Sequence, residues 1–348
     1  MATASTRADI YQASQTANPA KLTRNFQELI QTYTDEQIDL PWWFTPRLEW
    51  KRSRLALQVR SSLKAIVQDS HSRRDVGADR PRSILSMSLE DIDILSPKLL
   101  ETTCDQLSTF LFAGHDTTST TIAWMLYEVS RTPHALRAVC TELDEIFGPD
   151  PSPAAVASRL LAPGGEELVN RLTYTSAVIR ETLRLWPPGA TSRMTKPGDG
   201  LRATMCTFEG EACELNLDGM MLYHVPYIIQ RDPAVFGETA NTFVPERWLR
   251  DSAADTIPAG AFRAFERGPR NCVGQELATI EARVVMALVA RYFHFSKVGT
   301  GAAILDSATG QPEVDAHGQY RVAEKMYNVS IPTLKHRTGE ACGENFCG

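Results

Sequence analysis

The residues best suited to chemistry lie in one stretch, Phe265-Glu266-Arg267-Gly268-Pro269-Arg270-Asn271-Cys272-Val273-Gly274. A single cysteine follows an aromatic and two arginines, stands between two glycines, and is succeeded by a helical pattern. Such a loop can lift a thiolate to a helix N-terminus, where the dipole and unpaired N–H groups favour a charged sulfur. Gly268 and Gly274 allow the backbone to turn sharply and to approach a flat ligand without a Cβ in the way. Phe265 can cover the sulfur side of that ligand, and the planar fork of Arg270 can reach an anionic group at its edge. A lone cysteine without such neighbours reads as a small buried hydrophobe.

A second concentration is Phe110-Leu111-Phe112-Ala113-Gly114-His115-Asp116-Thr117-Thr118-Ser119-Thr120. The pattern predicts a long helix over 97–131, stopping before Thr132-Pro133. A helix interior gains nothing from glycine and little from adjacent threonines. A groove in which Ala113 and Gly114 let a ligand approach the backbone, with Asp116 and Thr117 beside it, accounts for this composition. A kinked helix turning a polar cluster to solvent is the alternative, and His115 reads as a packing or surface residue rather than a second ligand. A third candidate is Glu181-Thr182-Leu183-Arg184, on a helix expected over 172–185. Glu181 and Arg184 share one helix face and by themselves make an ordinary surface pair, worth about a few tenths of a kcal/mol.

The elements that must carry these groups are largely helical. A weak helical signal over 22–33 precedes the aromatic run Pro41-Trp42-Trp43-Phe44. A helix over 47–70 then places Leu55, Val59, Leu63, Ile66 and Val67 on one face and reads as a solvated surface helix rather than a membrane-lying one. Residues 71–95 are polar and read as a mobile connection. Further helices are expected over 133–147, within the alanine-rich segment 151–165, and over 275–295, with Leu277, Ile280, Val284, Leu288 and Tyr292 on its apolar face. Residues 187–194 read as extended. Residues 201–223 read as short strands around an acidic loop at 209–218, and the tail 299–348 is Gly-rich and weakly strand-like.

Composition narrows the function. The 348 residues carry a net charge of −6, which gives no reason to expect a nucleic-acid partner. Seven cysteines with no C-x-x-C pair suit a reducing compartment. No run approaches the length of a membrane-spanning helix, and the N-terminus lacks the apolar core of a secretory signal. Asn328-Val329-Ser330 is therefore taken as a chance match to a glycosylation acceptor.

The motifs, in their order along the chain, resemble those of the cytochrome P450 superfamily of haem-thiolate monooxygenases. Phe-x-x-Gly-x-Arg-x-Cys-x-Gly resembles its cysteine loop, Ala113-Gly114-His115-Asp116-Thr117 its oxygen-activation stretch, and Glu181-x-x-Arg184 its Glu-x-x-Arg signature. Phe243-Val244-Pro245-Glu246-Arg247-Trp248 is similar to its meander. The resemblance implies a mainly α fold with small β-sheets (α+β), a single domain over 1–348, and a haem (heme b) whose iron takes Cys272 as axial thiolate. It implies that Phe265, Gly268, Arg270, Gly274, Ala113 and Gly114 surround the cofactor, and that Arg193 meets a propionate. Thr117 would hydrogen-bond the oxygen being activated, and Asp116 would help deliver protons through water. Glu181, Arg184 and Arg247 would form a buried ionic network fixing the cysteine loop.

The reaction so implied inserts one oxygen atom from O2 into a small apolar substrate, and the wording of the motifs resembles fungal secondary-metabolism members. Electrons would come from NADPH through NADPH-cytochrome P450 reductase, an acidic domain that could dock on the charge of Arg263, Arg267 and Arg270. Localisation by the same resemblance is the cytoplasmic side of the endoplasmic reticulum; with no anchor in this chain, a soluble cytoplasmic protein is the alternative. A full member has roughly 500 residues, so the chain is expected to lack the anchor, the N-terminal strands, a propionate-binding tryptophan/arginine helix and the substrate-capping loop. Two other readings stand beside the monooxygenase: a non-catalytic truncated remnant that holds haem weakly or not at all, and a haem-thiolate peroxide isomerase. Intact Asp116 and Thr117 argue against the isomerase.

Overall fold

Apolar residues recurring at three- and four-residue spacing give the chain a helical body. The computed structural model describes residues 19–34, 43–73, 83–206, 211–249, 257–331 and 333–336. Helix α1 (Pro19–Thr34) packs on α2 (Pro46–Ser72). All five apolar residues anticipated for α2 are buried, and Val59, Leu63, Ile66 and Val67 form a cluster with Leu22, Leu85, Leu89, Cys104 and Leu107. Pro41 and Trp42 lie outside the described residues, while Trp43 and Phe44 are exposed.

The segment expected to be a mobile connection is partly ordered. Residues 74–82 lie outside the described residues, but α3 (Ile84–Ser88) follows directly. Ser83 and Ser86 cap it reciprocally, and Leu85 and Leu89 are buried. Two serines three apart satisfy the helix's free N–H groups, and two leucines supply the core contact that a polar reading of the segment overlooked.

Helix α4 (Pro97–Ser130) is one unbroken element of 34 residues. The Ser96 side chain accepts from Leu99 N (3.2 Å) and Pro97 opens the first turn. Its first half contributes Cys104 and Leu107 to the cluster beneath α2, and its second half contributes Trp124, Met125 and Tyr127 to the main core. That core is completed by α5 (Pro133–Phe147), α6 (Pro153–Leu161), α7 (Gly165–Asn170) and α8 (Thr173–Leu185).

After α8 the chain forms small antiparallel ladders. Strand β1 (Thr191–Met194) pairs with β4 (Met221–His224), Thr191 opposite His224, and β2 (Arg202–Cys206) pairs with β3 (Ala212–Asn216). Part of the expected acidic loop is thus strand β3. Short helices α9 (Pro226–Ile229) and α10 (Pro233–Phe236) lead to the cysteine loop and α11 (Gln275–Val289). Helix α11 ends six residues before the expected boundary of 295. Its buried residues are Ala282, Met286 and Ala287, while Leu277, Ile280, Val284 and Leu288 are half-buried. Helix α11 packs on α4 and α8, and its fully buried residues do not follow its leucine stripe. Tyr292 and Phe293 leave the helix and pack edge to face (4.9 Å). The tail makes isolated bridges (303 with 322, 305 with 312, 314 with 320) before β5 (Asn328–Ile331) pairs with β6 (Thr333–His336).

Candidate functional site

Glu181 and Arg184 are completely buried on α8. Arg184 Nε and Nη2 donate to Glu181 Oε2 and Oε1 (2.8 and 2.7 Å), and Arg247 Nε donates to Oε1 (3.1 Å). The remaining Arg184 donors reach the carbonyls of Gln230 (2.8 Å), Ala240 (2.7 Å) and Thr242 (3.0 Å), so every N–H of the guanidinium is used. Glu181 also accepts from Val244 N (2.9 Å) and Trp248 Nε1 (2.9 Å). The spacing of Glu181 and Arg184 suggested a few tenths of a kcal/mol at a surface; full burial makes the pair an obligatory network instead.

Two members of this network have no motif role in the sequence reading. Trp248 supplies the indole donor just described. Gln230, also fully buried, donates through Nε2 to the Leu183 and Arg184 carbonyls (3.0 Å each), and its Oε1 accepts from Arg263 N (2.7 Å). It therefore ties the C-terminal turn of α8 to the start of the cysteine loop. Its partners are main-chain groups distant in sequence, and no spacing announces them.

The cysteine loop is closed on itself. Cys272 N donates to Phe265 O (2.8 Å), and Asn271 N donates to Gly268 O (3.1 Å). Gly268 has φ +80°, a region closed to most side chains, and a Cβ on Gly274 would stand 3.8 Å from Cys272 Sγ. Cys272 and Arg270 are exposed and Phe265 is half-buried. Among the other described cysteines, burial pushes the thiols of Cys104 and Cys140 up, which disfavours their thiolates. Glu266, at φ +58°, anchors the loop. Its carboxylate takes the Thr191 hydroxyl, Arg263 Nη2 (2.9 Å) and Nε (3.2 Å), and lies 2.8 Å from His224 Nδ1. Burial alone would raise its pKa, but the Thr191 and Arg263 bonds and the nearby His224 hold it below the usual carboxyl value. These contacts join the loop to both strands of the β1–β4 hairpin. Arg193, on β1, is exposed and donates through Nη1 to Ser192 O (2.8 Å).

On α4, Ala113 and Gly114 are exposed, and a Cβ on Gly114 would meet nothing within 4 Å. Thr117 Oγ1 donates to Ala113 O (2.7 Å), which satisfies the hydroxyl without breaking the helix. Asp116 is half-buried, 3.6 Å from His115 Nδ1. A small cleft brings distant motifs together: it is lined by Thr117 and Thr121 from α4, Leu183 from α8, Pro188, Phe265 from the cysteine loop and Ala278 from α11. Thr117 and Phe265 thus face one space.

A family model described as Cytochrome P450 matches residues 5–308. The chain belongs to the cytochrome P450 family. Among its curated relatives is "Cytochrome P450 monooxygenase acrF" of Aspergillus aculeatus, 31% identical over 84% of this chain and 61% of that protein. "Cytochrome P450 monooxygenase polC" of Polytolypa hystricis is 35% identical over 72% of this chain and 41% of that protein. Human "Cytochrome P450 4V2" is 33% identical over 54% of this chain and 32% of that protein. The chain therefore spans between about a third and three fifths of the length of these relatives.

Family membership implies a haem with thiolate ligation, and the residues present fit one. An exposed cysteine stands beside two glycines, next to a cleft whose walls are apolar side chains and helix hydroxyls. Among the described residues no group of three or more His, Cys, Asp or Glu side chains converges as a metal site, and a single thiolate suits a metal whose other ligands belong to a macrocycle. Among the described residues no helix is long and apolar enough to cross a membrane.

Proposed function

We propose that this chain is a haem-thiolate monooxygenase domain that inserts one oxygen atom from O2 into a small apolar substrate, in fungal secondary-metabolite formation. The observation that carries the reading is the cleft shared by Thr117, Thr121 and Phe265, which joins α4 to the cysteine loop. Cys272 would hold the haem iron in this reading. Phe265, Gly268, Arg270, Gly274, Ala113 and Gly114 would surround the haem, and Arg193 would pair with a propionate. The haem, when bound, supplies dioxygen activation and oxygen transfer.

The chain's own residues arrange what surrounds that chemistry. Thr117 donates a hydrogen bond to the Ala113 carbonyl, which leaves its oxygen lone pairs available to accept from a water entering the cleft. Asp116, one residue earlier and half-buried, passes protons from solvent to that water. Ile179, Leu183, Pro188 and Phe265 keep bulk water out of the cleft. The Glu181–Arg184–Arg247 network and Gln230 hold the cysteine loop at a fixed distance from α8. NADPH-cytochrome P450 reductase is the electron donor, and the cytoplasmic face of the endoplasmic reticulum is the site of action. The names of the two fungal relatives, each a monooxygenase, support the reaction class.

The test is reconstitution of the purified chain with haem, NADPH and a cytochrome P450 reductase under isotopically labelled O2. The account expects one labelled oxygen atom in the product and strict dependence on the reductase. Turnover of a peroxide without reductase would replace this reading with the isomerase.

A further inference from the structure

The carboxylate of Glu128 has no part in the chemistry above, yet it is among the most deeply buried charged groups in the protein, with 2% of its surface exposed. Its Oε1 accepts from Trp186 Nε1 (2.7 Å), while Oε2 lies 3.8 Å from Arg131 Nε, too far for a hydrogen bond. Trp186 is held on its faces as well. Its ring stacks on Trp124 with centroids 3.7 Å apart and planes within 4°. The Arg231 guanidinium lies 4.8 Å from the ring centre and donates through Nη2 to Leu185 O (2.8 Å).

The placement of this cage gives it a consequence. Thr117, Thr121, Trp124 and Glu128 recur at spacings of four, three and four, so they form one stripe along α4. Thr117 and Thr121 line the cleft at one end of that stripe, and Glu128 and Trp124 hold Trp186 at the other. Directly after Trp186 come Pro187 and Pro188, and Pro188 lines the same cleft. Two consecutive prolines fix their own φ and restrict the residue before each, so no free hinge separates the indole from the cleft wall.

We propose that the Glu128–Trp186 pair is a positioning clamp that fixes the Pro187-Pro188 wall against α4 and thereby sets the size of ligand the cleft admits. The statement about ligand size rests on the reading of the Thr117, Thr121 and Pro188 side of the cleft as the substrate side of the haem; the clamp itself does not. Trp186→Phe keeps an aromatic ring beside Trp124 but removes the N–H together with the pyrrole half of the indole. Glu128→Gln keeps an oxygen that accepts it, and Glu128→Leu removes the acceptor.

Two measurements on the full chain test the pair. Amide hydrogen exchange over residues 189–194 should be about tenfold faster in Trp186→Phe and Glu128→Leu, the loss of one buried hydrogen bond, and within about twofold of the parent in Glu128→Gln. In spectral titrations of the haem-loaded protein, the affinity ratio of phenylimidazole to imidazole should change about threefold or more in the first two variants and hold in Glu128→Gln. Unchanged exchange in Trp186→Phe and Glu128→Leu overturns the clamp. Faster exchange with an unchanged affinity ratio overturns its control of ligand size. A chain with no haem spectrum refutes the haem reading, and with it the ligand-size claim, while the exchange data still decide the clamp.

Discussion

Replacing Glu181 with glutamine changes one oxygen to an NH2 group at one of the most densely bonded positions among the described residues. The carboxylate accepts five hydrogen bonds, from Arg184 Nε and Nη2, Arg247 Nε, Val244 N and Trp248 Nε1. Whichever way the amide turns, its NH2 group opposes donors that now point at a donor. If it replaces Oε2, Arg184 Nε and Trp248 Nε1 each lose an acceptor, at about 1.5–3 kcal/mol per bond to a charged group. The same loss seen as a buried charge left unpaired is about 3–5 kcal/mol, so the two estimates converge on about 4 kcal/mol. That is a large share of a total stability of about 5–15 kcal/mol. A urea titration followed by tryptophan fluorescence reads it directly, because Trp248 lies 2.9 Å from the altered group. With a slope of about 3–4 kcal/mol/M for a chain of this size, the midpoint should fall by about 1 M. Glu214→Gln, in an exposed pair with Arg202, is the control and should cost at most about 0.5 kcal/mol. A Glu181→Gln shift no larger than that of the control would refute the claim that the network is obligatory.

Glu266 has a folded-state pKa held below the ordinary 4.5, so its contribution to stability is present above pH 4.5 and is lost as pH falls through the depressed value. Urea midpoints of the parent and Glu266→Gln should therefore differ at neutral pH and converge in acid; a pH-independent difference contradicts the assignment. Gly268→Ala forces a Cβ onto a residue at φ +80°, which should cost about 1–2 kcal/mol even though the space beside it is open; an unchanged thermal midpoint would show that the loop relaxes at no cost. Thr117→Ala should leave haem bound but divert reducing equivalents to hydrogen peroxide, measured as peroxide formed per NADPH consumed. Unchanged coupling would remove Thr117 from proton handling.

Much of the frame was legible because helices declare themselves by periodicity and punctuation. The stripe Leu55, Val59, Leu63, Ile66, Val67 located α2, and Ser96-Pro97 with Thr132-Pro133 bracketed α4. Elements shaped by local hydroxyls, or whose buried line departs from the leucine stripe, were not legible. Helix α3 depends on two serines capping each other, and α11 fully buries Ala282, Met286 and Ala287 while its leucines are half-buried. The same division runs through the site. Cys272, Thr117, Glu181 and Arg184 sit at fixed spacings along single segments, so their motifs can be read. Gln230, Glu128 and the Thr191 and His224 partners of Glu266 act across long sequence separations, and a one-dimensional pattern holds no trace of them.

The central claim is that Cys272 holds haem iron as a thiolate. Its most direct test is the absorption spectrum of the purified, haem-loaded chain, reduced with dithionite, with and without carbon monoxide. The account predicts the strongly red-shifted Soret band of a thiolate-ligated carbonyl in the parent and its loss in Cys272→Ser. A red-shifted band that survives in Cys272→Ser, or a parent that takes up no haem, would contradict it.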